Sequence, residues 1–241
     1  MPADANATSE KRKVRKVLLK LLIPRSQQRR FLIQFTFITV LGWIVGGIAS
    51  IGTEKILLQK LASFTTLVKF LSSTIFALIF AAHQAIALRP YLSAWWLWIL
   101  ATSMGWLIAN SVSVAWINNI SSLATSLNKS LSLEEMIFWA ALSTICYILS
   151  GIWLGFCQWL VLRRYTFEAW WWNFLPSIAN FLISILFWLL YLIKYLLPQV
   201  NHTQIFLYLF EQVSTAMILG AIPAIGLVNS RYQSLDFSHK G

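Results

Sequence analysis

Six apolar runs, each about as long as a bilayer is thick, fill most of this chain of 241 residues. They make lipid, rather than water, the solvent that the fold must satisfy. The runs lie at 31–51, 67–88, 94–116, 136–162, 172–196 and 205–228. At 1.5 Å of rise per residue, about 20 helical residues cross a hydrocarbon core of about 30 Å. Only 11% of residues are charged and 58% are hydrophobic, more apolar surface than a soluble domain of this length can hide. The runs are continuous, whereas barrel strands alternate in shorter segments, so the expected class is all-α. The reading is a polytopic bundle of about six transmembrane helices. It places a basic tail at 1–30, the membrane domain at 31–230 and a short tail at 231–241.

Two runs need arbitration. The second carries Lys69, Ser72, Ser73, His83 and Gln84, which also fits a buried amphipathic or re-entrant segment; its apolar length favours a full span. The first resembles a secretory signal in its basic leader. That leader is about 30 residues long, and the core exceeds the usual signal length. Ser50-Ile51-Gly52 is a poor cleavage site, so the run is read as an uncleaved first span.

The charges set the threading. The leader holds nine basic residues, and an even number of spans adds Arg89, Arg163, Arg164, Arg231 and Lys240 to the same side. Fourteen of the 19 lysines and arginines therefore share one face, which the positive-inside rule makes cytoplasmic. Within the leader, Val14, Val17, Leu18, Leu21 and Leu22 stand at helical spacing among cations, ahead of Pro24. That pattern suits a short amphipathic helix on anionic headgroups, and equally a tail whose only role is orientation. The net charge of +11 raises nucleic acid as a partner. A tail without aromatic stacking residues, abutting a span, argues against it.

An internal repeat is legible. Gln84-Ala-Ile-Ala-Leu-Arg89-Pro-Tyr91, followed by Trp95, Trp96 and Trp98, matches Gln158-Trp-Leu-Val-Leu-Arg163-Arg164-Tyr165, followed by Trp170, Trp171 and Trp172, at an offset of 74. Leu227-Val-Asn-Ser-Arg231-Tyr232 is a weaker third copy. Leu41-Gly42-Trp43-Ile44 also resembles Met104-Gly105-Trp106-Leu107. The simplest architecture is three helical hairpins in parallel orientation. In each copy the arginine reaches headgroups while its stem stays apolar, and the tyrosine and tryptophans are expected to form an interfacial belt. Gln84 and Gln158 lie about 7.5 Å deeper. Their amides need protein partners, so they read as interhelical glue, or alternatively as a small polar site.

Small residues four apart mark close helix packing: Gly42 with Gly46, Gly151 with Gly155, Gly105 with Ala109, Gly220 with Ala224. Pro176 and Pro223 are candidate kinks. Glu211 is the one carboxylate inside a span, and such a residue raises an ion path by default. It stands near the interface, where Lys194 can snorkel to it, so interfacial pairing or a protonated structural carboxyl is the reading preferred. His83 is read as a packing donor rather than a switch. No second histidine, aspartate or cysteine stands at ligand spacing, which predicts no metal site and no cofactor. Cys146 and Cys157 are about 16 Å apart along one helix, too far for a disulfide. Asn128-Lys129-Ser130 is a glycosylation sequon by pattern, and Glu134-Glu135 suits a helix amino terminus.

The run Gly155-Phe-Cys-Gln158-Trp-Leu-Val-Leu-Arg163-Arg164, with its tryptophans, resembles a motif of small polytopic membrane proteins, chiefly cyanobacterial. The glycine- and alanine-rich 219–228 is similar to their last helix. This family has no assigned activity, so the resemblance implies a bacterial plasma membrane or thylakoid setting and no catalytic residue. The first copy departs from it, with Ala81 for the glycine and with His83 and Ala85 flanking Gln84. Three function classes follow in order: a non-enzymatic scaffold, assembly or regulatory protein with a membrane-protein partner; a small transporter or channel lined by Gln84, Gln158, His83 and Glu211; and an intramembrane enzyme.

Overall fold

The computed structural model describes residues 20–126, 133–167, 169–196 and 201–232. Within them run six α-helices: α1 (Gln28–Lys60), α2 (Thr65–Leu88), α3 (Trp95–Ser126), α4 (Leu133–Leu162), α5 (Leu175–Leu196) and α6 (Asn201–Asn229). All six are long and apolar enough to cross a membrane, the length and composition of an integral membrane protein. The second run is one unbroken helix of 24 residues, which settles it as a full-length element rather than a re-entrant one. The first continues well past Ile51 because Glu54, Lys55 and Gln59 are good helix formers and polar enough to leave the apolar layer. Pro176 sits in the first turn of α5, where no helical hydrogen bond is lost, whereas Pro223 lies inside α6.

Each helix packs on the next in sequence, and α6 returns to pack on α1. The bundle is a closed ring. Its interior holds buried apolar clusters at two levels. Nearer the face where residue 20 meets residue 232, Phe31, Phe35, Leu88, Leu92, Trp98, Leu162, Trp172 and Leu227 form one cluster. Further along the helices, Phe80, Ala179, Ile183 and Leu219 form another, walled by Trp43, Phe76, Trp106 and Tyr147. Large apolar side chains point outward instead, among them Ile33, Phe37, Ile48 and Tyr191. That inversion suits helices whose outer surface meets lipid tails.

The glycines set the spacing of the helices. A methyl at Gly155 would overlap the backbone carbonyl of Asn173, and one at Gly151 would sit 2.7 Å from the Ser177 amide nitrogen. The α4 backbone can therefore lie directly on the chain entering α5. Gly42 against His83 and Gly105 against Leu154 and Cys157 make the same kind of approach between α1 and α2 and between α3 and α4. The small-residue pairs thus pack within the chain.

Three two-residue strands were not anticipated: β1 (Lys20–Leu21), β2 (Thr166–Phe167) and β3 (Arg231–Tyr232). They form one antiparallel sheet in the order β1-β3-β2, pairing Lys20 with Tyr232 and Thr166 with Tyr232. Leu22 continues the ladder by donating its N–H to the Ser230 carbonyl at 2.9 Å. The expected surface helix is therefore corrected at its carboxyl end. From Lys20 the chain is extended, and Leu22 and Ile23 are buried in the protein core rather than laid on headgroups. Pairing with β3 satisfies the backbone there, and burial of two aliphatic side chains outweighs a short helix that packs on nothing. The rest of that tail, the end of the carboxyl tail and the sequon at Asn128 lie outside the described residues.

Candidate functional site

The residues singled out by the repeat converge where α2 and α4 end. Gln84 and Gln158 are each 2% exposed. Neither bonds the other. The indole N–H of Trp98 donates to Gln84 Oε1 at 3.3 Å, and that of Trp172 donates to Gln158 Oε1 at 3.1 Å. In both pairs the tryptophan stands 14 residues after the glutamine. Gln158 also donates from Nε2 to Thr102 Oγ1 at 3.2 Å, tying α4 to α3. The two indoles meet edge-on, with ring centroids 6.0 Å apart. Two buried amides thus accept from two buried indoles inside the bundle, as groups withdrawn from water must.

The expected tryptophan belt divides accordingly. Trp96 and Trp170 are 53% and 62% exposed, and Trp95 and Trp171 are partly buried. Trp98 and Trp172 are completely buried, which corrects their reading as interface anchors. On a helix, Trp96 and Trp98 lie about 200° apart, so one must face inward if the other faces out. The 74-residue offset superposes Trp98 on Trp172 and Trp96 on Trp170, so it pairs equivalent tryptophans between the copies without telling inward from outward.

The arginines and tyrosines stay at the rim. Arg89, Arg163 and Arg164 are exposed. The Arg89 guanidinium lies 5.8 Å from the Trp95 ring centroid and Arg163 lies 5.3 Å from that of Trp159, within cation–π range. Tyr91 donates its hydroxyl to Gln27 Oε1 at 3.1 Å, and the Tyr165 hydroxyl accepts the Ala94 N–H at 3.0 Å. Each tyrosine follows the second helix of a hairpin and reaches back to the start of the first. Both hairpins are laced shut at that end.

His83 and Glu211 lie apart from the glutamines. The imidazole of His83 packs against Gly42, and its Nδ1 is 2.8 Å from the Ile79 carbonyl oxygen one turn earlier. A carbonyl only accepts, so that nitrogen carries the proton. Glu211 pairs with Lys194 at 3.2 Å across α5 and α6, with the lysine 41% and the glutamate 21% exposed. Its neighbour Gln212 accepts the Trp43 indole N–H at 3.2 Å. Further contacts that the sequence reading did not name are Ser50 with Ser72 at 2.6 Å and Ser103 donating to the Ala77 carbonyl at 3.2 Å. Asn180 likewise donates to the Tyr147 carbonyl at 3.0 Å. All three cross between helices. Chemically, the arrangement joins helices. Among the described residues no hydrogen bond joins any two of Gln84, Gln158, His83 and Glu211.

No family model, curated protein or solved structure matches this chain.

Proposed function

We propose that this chain is a non-enzymatic membrane protein that scaffolds, assembles or regulates partner proteins in the bilayer. Both termini face the cytoplasm, and the setting is a bacterial plasma membrane or thylakoid. The observation that carries the reading is the use made of Gln84 and Gln158. Each is buried and hydrogen-bonded to a buried tryptophan. A transport path through the bundle would need these amides on water, and the level where they stand is filled by the two indoles. Glu211 and His83, the remaining candidates for chemistry, are engaged with Lys194 and with the Ile79 carbonyl. The three hairpins are read as parallel copies. Support comes from the two Gln–Trp pairs of equal separation, and from Gly42 against His83 and Gly105 against Cys157, where the partners again differ by 74.

Purified protein in proteoliposomes tests the reading. No flux of small ions or solutes above empty vesicles, together with a stable membrane-protein partner co-purified in mild detergent, is the expected result. Flux that Gln84→Leu/Gln158→Leu abolishes would overturn it.

A further inference from the structure

We propose that the outward stripe Ser26, Arg29, Arg30, Ile33, Gln34 and Phe37 binds one anionic phospholipid. Its phosphate lies against the two guanidinium groups and an acyl chain runs along Ile33 and Phe37. This goes beyond the scaffold reading and does not rest on it.

These six residues line an open groove of about 610 Å³. Their spacing of three, four and seven places them on one face of a helix. All six are exposed, Ile33 to 63% and Phe37 to 61%. The stripe is graded. Cationic and polar groups stand at the face where residue 20 meets residue 232, and the apolar pair follows at the start of the first apolar run. From Arg30 to Phe37 the rise is roughly 10 Å, about the depth separating a lipid phosphate from the upper part of its acyl chains.

Among the described residues no carboxylate comes within ion-pair distance of Arg29 or Arg30, and the first turn of α1 holds no acidic residue. Arg89 and Arg163, by contrast, lie over tryptophan rings. A guanidinium presents forked donors that match a phosphate. A free phosphate would satisfy the arginines and leave the Ile33–Phe37 floor unused, whereas a phospholipid uses both halves. An interfacial arginine favours an anionic lipid by roughly fivefold, so the pair is expected to give about 25-fold.

The test is native mass spectrometry of the full chain, released from micelles with equal amounts of phosphatidylglycerol and phosphatidylcholine of the same acyl chains. Wild type should retain one phosphatidylglycerol selectively, and glycerol 1-phosphate should not displace it. Arg29→Gln/Arg30→Gln should lose that preference by about 25-fold, while Arg163→Gln/Arg164→Gln, with the same charge removed at another rim position, should keep it. Ile33→Ser/Phe37→Ser should weaken retention of the lipid with both arginines present. Retention unchanged in Arg29→Gln/Arg30→Gln, equal loss in both arginine variants, or displacement by glycerol 1-phosphate would each overturn the proposal. Phosphatidylglycerol should also raise the melting temperature of wild type and not that of Arg29→Gln/Arg30→Gln, a readout that separates lost binding from lost folding.

Discussion

Trp98 and Trp172 touch edge to face at 6.0 Å, each with its indole N–H fixed on a glutamine 14 residues behind it. Two side chains that look interfacial are the joint between the second and third hairpins. Each indole N–H is satisfied by a glutamine oxygen, and Gln158 in turn donates to Thr102.

Trp172→Phe keeps most of the ring and removes the donor, leaving Gln158 Oε1 buried without a partner. The expected cost is about 1–3 kcal/mol, toward the lower end because polar pairs in membranes average about 0.6 kcal/mol. Trp98→Phe should behave alike. Because the rings are in contact, the double variant should depart from additivity by about 0.5 kcal/mol or more. Thermal unfolding in detergent reads all three, and strict additivity would show that the pair is not coupled.

Gly155→Ala places a methyl on the Asn173 carbonyl, while Gly47 has nothing within 4 Å of the same added atom. The first change should cost about 1–3 kcal/mol by overpacking. Gly47→Ala should be neutral or gain up to about 1 kcal/mol from helix propensity. Equal melting temperatures for the two variants would deny that the α4 backbone rests on the chain entering α5.

The legibility of the fold follows from what length scale a residue acts on. All six helices were readable because 20 apolar residues in a row need no partner to declare themselves. The direction of a single side chain was not. Trp96 and Trp98 differ only in helical phase, and phase within a Trp-Trp-Leu-Trp run is set by packing. The sheet was invisible for another reason: strands of two residues carry no periodicity, and Lys20 meets Tyr232 from the far end of the chain. Of the site, the glutamines and the Lys194–Glu211 pair were legible from depth, whereas Thr102 as a partner was not.

Glu211→Gln removes the charge from a pair that is partly solvated. Exposed or half-exposed ion pairs contribute about 0–1 kcal/mol, so the variant should unfold within about that range of wild type. It should also assemble normally. A loss of several kcal/mol, measured by the same thermal assay, would mean that Lys194 is left buried and that the pair is structural.

Ile23→Asp puts a carboxylate where the native side chain is completely buried. The expected result is release of β1 from β3, seen as new protease cleavage before Pro24 with the helical bundle intact. Reporter fusions before residue 20 and after residue 232 should both map to the cytoplasm, as the distribution of lysine and arginine requires. Opposite assignments for the two ends would refute the threading.

A helix ring that closes α6 onto α1, with Lys20–Leu22 stitched to Ser230–Tyr232 by a ladder, has no privileged starting member. Joining residue 232 to residue 20 by a short linker and opening the backbone near Ser93 should give a permuted polypeptide of the same shape. Order of synthesis would change, and the assembled object would not.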